Sequence, residues 1–204
     1  MLIDSDLQRR LIKTVADCVI QHTDELVELD QAIGDGDHGL NMKRGLDAVL
    51  LDLERLSGMP LDEALKAIGM TLVMKVGGAS GPLYGSLFIA FGKSLPESGD
   101  RAGVVRAFAA AVEAVKSRGK AEVGQKTMLD VLVPVLSLLQ KTQDELPAHL
   151  RAVAQEAARA TIPVRAQRGR ASFLGERSVG HMDPGARSSE LMICAVADVM
   201  EGRT

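Results

Sequence analysis

Apolar residues recur at helical spacing along almost the whole of this 204-residue chain. The first run starts at Ser5, a plausible N-cap, and carries Leu7, Leu11, Val15, Cys18 and Val19 on one side. A second covers residues 40–56, with Leu46, Val49, Leu50, Leu53 and Leu56. A third follows Pro60 (Leu61, Leu65, Ile68, Leu72), and a fourth follows Pro82 (Leu83, Leu87, Phe88, Phe91). A fifth spans residues 101–116, and a sixth spans 127–139, where Pro134 should introduce a kink. A seventh covers 148–161. The eighth begins at Asp183-Pro184, a capping residue followed by proline at the first helical position, and runs to Met200. No segment alternates as a strand would. The pattern predicts one all-α domain over residues 1–204, built of eight helices.

The connections between these runs are of two kinds. Residues 57–59, 96–100 and 142–147 are short and polar, which favours antiparallel neighbours. Residues 30–40, 77–82, 118–126 and 162–185 hold twelve of the chain's twenty glycines. In an up-and-down bundle these four glycine-rich connections share one end. Glycine loops let backbone N–H groups approach an anion, and the even-numbered helices begin at that end with their positive dipole ends facing it.

Composition narrows the function classes. Tyr84, Phe88, Phe91, Phe108 and Phe173 are the only aromatics, too few for a base-stacking platform, and a net charge of -3 argues against binding a nucleic-acid backbone. Cys18 and Cys194 sit in apolar helical contexts and read as two buried thiols, which suits a reducing cytoplasm. Asp4 and Asp6 precede any apolar run, so no signal peptide is expected. The uncharged stretch 76–92 is short and broken by glycines, so no membrane span is expected either.

The densest chemistry lies at residues 30–41, where Asp30, Asp35 and Asp37 fall in a stretch otherwise without charge. Three carboxylates repel one another, and a divalent cation relieves that repulsion. All-oxygen ligands suit Mg²⁺ or Ca²⁺. The spacing is not that of an EF-hand: counted from Asp35, Leu40 stands where the turn glycine belongs and Leu46 where the bidentate Glu belongs. Taken alone, the stretch also reads as a solvated acidic turn capping a helix. Residues 76–85 form a glycine loop opening into a helix, a phosphate cradle without the Walker lysine or equally a tight helix–helix turn. Residues 124–130 open the sixth helix, and residues 168–185 carry arginines able to meet phosphate, or simply form a solvated basic loop. Their convergence on one end points to a Mg²⁺–nucleotide or polyphosphate site. An all-α structural domain with a Ca²⁺-stabilised acidic loop is the bland alternative.

These four blocks, in this order and spacing, resemble the nucleotide-binding L subunit of dihydroxyacetone kinases. The resemblance implies a barrel of eight antiparallel up-and-down helices with the nucleotide site at one end. It implies that Asp30, Asp35 and Asp37 bind two Mg²⁺ ions bridging the phosphates of ADP or ATP. His38 and Asn41 match positions beside the phosphates. Gly78, Ala79 and Ser80 match the phosphate-cradling loop, with Leu83 just beyond it. Gly119, Thr127 and Met128 match positions near the nucleotide, while Arg170 and the Asp183-Pro184-Gly185 turn match the loop that closes over it. One position departs: Gln125 stands where the family usually has aspartate, which bears on polar contacts there and on substrate or donor.

The same resemblance implies a cytoplasmic phosphotransferase subunit, dimeric with a second copy, that binds neither nucleic acid nor membrane. It would work with a K subunit carrying dihydroxyacetone covalently on a histidine and a phosphohistidine M subunit that rephosphorylates bound ADP. No covalent nucleophile is expected on this chain. Related alternatives are the L component of an ATP-dependent kinase for dihydroxyacetone or a ketotetrose, and a nucleotide-loaded module docking a transcription regulator.

Overall fold

The computed structural model describes residues 4–96, 100–141 and 146–203. Among them lie ten α-helices: α1 (Ser5–Gln21), α2 (Thr23–Ile33), α3 (His38–Leu51), α4 (Leu53–Ser57), α5 (Leu61–Lys75), α6 (Ser80–Ser94), α7 (Arg101–Gly119), α8 (Leu129–Lys141), α9 (Leu146–Ala160) and α10 (Pro184–Met200). A 3₁₀ segment, Arg170–Ser178, interrupts the long connection before α10. No strand occurs among the described residues. The all-α expectation holds.

The helix count differs from the periodic reading in two places. The second helix, α2, follows α1 directly across His22, where the backbone leaves helical geometry (φ −99°, ψ 18°). Its buried face is Leu26, Asp30 and Ile33, so an aspartate occupies a position where an apolar residue would have declared the helix. The run over residues 40–56 breaks at Asp52 (φ −105°, ψ 12°) into α3 and the single turn α4. Asp4 rather than Ser5 caps α1, its Oδ1 accepting from the Leu7 N–H at 2.8 Å. Pro134 lies inside α8 without ending it. Of the short connections, 97–99 and 142–145 lie outside the described residues; Leu146 and Pro147, expected in a connection, open α9.

Each helix from α5 to α10 packs on the next, α10 packs back on α1, and α1, α3 and α5 pack in turn. One apolar cluster fills the space they share, with Leu26, Met42, Leu72, Val112, Val115, Leu129 and Val135 essentially inaccessible. Aromatics contribute little beyond Tyr84 and the edge-on pair Phe91–Phe108, whose centroids are 5.9 Å apart. Arg187 on α10 donates to both oxygens of Glu25 on α2 (2.7 and 3.1 Å), fixing α2 against α10. Cys18 and Cys194 are free and half-buried rather than buried. Burial nonetheless pushes the Cys194 thiol up to about 12, so it stays protonated and unreactive. No described helix is long and apolar enough to cross a membrane.

Two glycines outside the loops let α5 and α6 pack backbone against backbone. A Cβ on Gly69 of α5 would stand 2.8 Å from the Gly85 carbonyl oxygen of α6, and one on Gly85 would stand 2.9 Å from the Gly69 carbonyl. These contacts are with backbone, which cannot move aside without separating the helices. Gly85→Ala is therefore expected to lower stability by about 1–3 kcal/mol, despite alanine's better helix propensity. Urea unfolding followed by circular dichroism measures the change; an unchanged midpoint would show that the pair has slack.

Candidate functional site

The cluster of carboxylates is organised by helix geometry before any ligand is considered. Asp30 lies in the last turn of α2 and is almost buried. Its Oδ2 accepts from the backbone N–H of Asp37 (2.8 Å) and of His38 (3.1 Å), at the start of α3. The carboxylate of one helix thus caps the positive end of the next. The chain between them must turn tightly. Gly36 adopts φ +75°, and a Cβ on Gly34 would overlap Asp30 Oδ1 at 2.1 Å. Asp30, Asp35 and Asp37 each offer a carboxylate oxygen within 4.8 Å of the others. Three hard oxygen donors at this spacing fit a small divalent cation such as Mg²⁺. Asp35 also pairs with Arg170 Nη2 at 3.0 Å, a cation reaching in from the long segment.

Beside the carboxylates lies a buried polar network. Burial holds the His38 imidazole below its usual range, against the opposing pull of Asp30 and Asp37, so the ring is neutral. Its Nδ1 is 3.0 Å from Ser80 Oγ and its Nε2 is 2.9 Å from Ser188 Oγ. Ser188 in turn meets Tyr84 OH at 2.7 Å, and Tyr84 OH reaches Ser189 Oγ at 2.9 Å and donates to the Gly185 carbonyl at 3.1 Å. Burial pushes the Tyr84 phenol up to about 12, which keeps it a donor. The network joins the starts of α3, α6 and α10.

The remaining loops complete the walls. Gly78 takes φ +62° ahead of Ala79 and Ser80 at the N-terminus of α6. Gly119 ends α7, with Leu83 of α6 against it. Asp130 holds the turn before α8, accepting from the N–H groups of Gly124 (2.6 Å) and Thr127 (2.7 Å). Together these elements enclose a cavity of about 420 Å³. Asp30, Asp35, Asp37, His38, Gly78, Ala79, Ser80, Leu83, Gly119, Thr127, Met128, Arg170, Asp183, Pro184 and Gly185 all line it. The four glycine-rich connections thus meet at one place. Asn41 is the exception. It lies behind the loop, close enough that a Cβ on Gly77 would stand 2.6 Å from its Oδ1, and that oxygen accepts from Arg44 Nη2 at 2.7 Å.

Sequence reasoning assigned no role to three residues that build this end, Lys126, Tyr84 and Ser188, and named Arg168 only among the arginines of the long segment. Lys126 is buried with φ +63°, and its Nζ donates to the carbonyls of Thr161 (2.8 Å), Val164 (3.1 Å) and His181. One ammonium therefore clips both ends of the long segment to the turn before α8. Nothing in a single sequence announces such a cation. Tyr84 and Ser188 were legible in principle: each lies four residues beyond an expected site residue, Ser80 and Pro184, on the same helical face. Arg168 lines the cavity beside Arg170.

The chain belongs to the DAK2-domain family, whose model matches residues 32–198. Within that family it is 42% identical to the ADP-binding subunit DhaL of PEP-dependent dihydroxyacetone kinase 1 of Listeria innocua, over 96% of this chain and 97% of that protein. It is 44% identical to the corresponding PEP-dependent dihydroxyacetone kinase subunit of Escherichia coli K12, over 84% and 86%. Among solved structures it superimposes on the dihydroxyacetone kinase from C. freundii in complex with AMP-PNP and Mg²⁺ (TM-score 0.74, 29% identity), covering 95% of this chain and 34% of that longer one.

Two outcomes follow from the buried charges. Lys126→Met removes the ammonium from the Thr161, Val164 and His181 carbonyls, of which that of Thr161 keeps the Val164 N–H, and unfolding by urea should show a loss of about 3 kcal/mol. Asp183 is half-buried at the wall of the cavity, and desolvation there raises its carboxyl to about 7 although its oxygen caps α10 through the Ala186 N–H at 2.7 Å. The folded protein keeps this proton to higher pH than the unfolded chain, whose Asp titrates near 3.8. Its contribution to stability is therefore full below that value and lost as pH rises through about 7. Asp183→Asn, which preserves the cap, should flatten this slope; unfolding of both proteins between pH 5 and 8 measures it, and parallel curves would refute the assignment.

Proposed function

We propose that this chain is the nucleotide-carrying subunit of a phosphoenolpyruvate-dependent dihydroxyacetone kinase, a phosphotransferase acting on an alcohol group. The observation that carries the reading is the convergence of the three-aspartate cluster and the glycine-rich start of α6 on one cavity. Similarity to ADP-binding subunits spans nearly their whole length at 42–44% identity, against 29% identity to a third of the longer C. freundii kinase, and this favours the phosphoenolpyruvate-dependent form. On this reading the whole chain, residues 1–204, is one domain. The packing order that returns from α10 to α1 supports a barrel of eight antiparallel helices, α1–α2 and α3–α4 each counting as one.

Asp30, Asp35 and Asp37 would hold two Mg²⁺ ions, whose contribution is to neutralise charge on the transferring phosphoryl group. The chain's own residues position. Backbone N–H groups of Gly78, Ala79 and Ser80 are offered at the positive end of α6. Neutral His38 is locked between Ser80 and Ser188, so its ring cannot turn away. Arg168 and Arg170 are exposed guanidinium groups at the rim, free of the buried network and suited to phosphate oxygens. Leu83, Met128 and the Asp183-Pro184-Gly185 turn supply the less polar wall for the rest of the nucleotide. No nucleophile is needed here: the acceptor dihydroxyacetone belongs on a K-type partner, and a phosphohistidine M-type protein in the same cytoplasm restores the nucleotide in place.

Purified protein should release ADP and Mg²⁺ on denaturation, detected by chromatography and atomic absorption. Asp35→Ala and Asp37→Ala should retain neither while keeping their helical circular dichroism. Nucleotide held normally by both variants would sink the metal assignment. With a K-type partner, turnover driven by phosphoenolpyruvate through a phosphohistidine protein, with ADP retained throughout, supports the proposal. Turnover with free ATP alone reassigns the chain to the ATP-dependent branch.

A further inference from the structure

The long segment between α9 and α10 meets the cavity through residues 168–171, and the turn before α8 sets its seat there. Gln125 is the point of attachment. Its side-chain Oε1 accepts from the Glu122 backbone N–H (3.0 Å) and from Arg168 Nε (3.1 Å). Its own backbone carbonyl accepts from the Gln167 N–H (3.2 Å). An amide oxygen has two lone pairs, and both are used: one fixes Gln125 against its own turn, the other holds the guanidinium. Beyond Arg168 the chain bends at Gly169 (φ +65°), where a Cβ would meet nothing within 4 Å, so conformation rather than space calls for glycine. Arg170 then reaches Asp35 Oδ2. Residues 168–170, which line the cavity, are thus held at one end by Gln125 and at the other by Asp35.

We infer that Gln125 is a positioning residue: by holding Arg168 it sets where Arg170 stands over the carboxylate cluster, and so governs how fast an anionic ligand and its cation leave. The uncharged amide suits this place. It anchors Arg168 without cancelling the charge of a guanidinium that lines the cavity, which the aspartate usual in the family would pair with directly. The anchoring stands on the contacts alone; only its effect on release rests on the nucleotide reading proposed above.

The test pairs hydrogen exchange of amides 166–172 in the full-length chain with stopped-flow release of Mg²⁺ and N-methylanthraniloyl-ADP. Gln125→Ala should speed exchange of these amides about fivefold, the scale of one exposed hydrogen bond, and speed release by a similar factor. The melting temperature should stay put, because Lys126 still clips the segment. Gln125→Glu keeps the acceptor and should restore wild-type exchange. In amide exchange Arg168→Ala should match Gln125→Ala, and the double variant should be no faster than either single one; release from Arg168→Ala is expected to be faster still, because it also removes a guanidinium that lines the cavity. Wild-type exchange in Gln125→Ala, or additive effects in the double variant, would overturn the inference. If the wild-type chain fails to bind the ADP analogue, the nucleotide reading falls, and the exchange comparison alone decides the anchor.

Discussion

Three carboxylates within 4.8 Å of one another are the constraint that the rest of this structure serves. Without compensation such a cluster would push α2 and α3 apart. Two devices hold it together before any cation arrives. The N-terminal N–H groups of α3 point at Asp30 Oδ2, so the helix dipole and two hydrogen bonds offset one charge. Arg170 offsets a second through Asp35. The first device is nearly buried and belongs to the helix framework. The second is exposed and belongs to a long segment, which makes it the replaceable one.

The glycines follow from the same demand. At the site they supply backbone shapes and clearances that other residues cannot: φ +75° at Gly36, φ +62° at Gly78, and room for Asp30 Oδ1 at Gly34. Away from the site they do something different. Gly69 and Gly85 let α5 and α6 approach until backbone meets side chain and carbonyl. That close approach brings Tyr84, on the same helix as Gly85, into the core, where its hydroxyl can reach the start of α10. A helix pair and a functional end are thus coupled through one glycine.

What the sequence disclosed and what it hid divide along physical lines. Helices whose buried face is wholly apolar, such as α5 and α7, were legible from period alone; α10, which buries Ser188, Ser189 and Glu190, was legible from its Asp183-Pro184 start, and the gathering of glycine loops at one end was legible too. α2 was not, because its buried face includes Asp30, the residue that makes the site. The break at His22 carries neither glycine nor proline, so no punctuation marks it. Asp30, Asp35 and Asp37 could be found by their isolation in an uncharged stretch. Lys126 could not: it stands in a sequence that reads as a solvated turn, and only the fold brings the Thr161, Val164 and His181 carbonyls around its ammonium. Long-range polar contacts leave no local signature.

The cavity therefore has two walls of different character. One is dry and stitched. His38, Ser188 and Tyr84 share hydrogen bonds in a region from which water is excluded, where every lost partner costs the full desolvation of the group left behind. The other is wet and charged. Arg168, Gly169 and Arg170 are exposed, and their contacts to Gln125 and Asp35 compete with water and salt. A polyphosphate with its cation needs both. The dry wall fixes donors and the N-terminus of α6 in advance, so no reorganisation is required when charge arrives. The wet wall must exchange one partner for another, and weak, solvated ion pairs are the interactions that can do so without disturbing the core. Lys126 lies at the seam between them: by clipping both ends of the long segment to the turn before α8, it lets the charged wall move while its attachment stays with the framework.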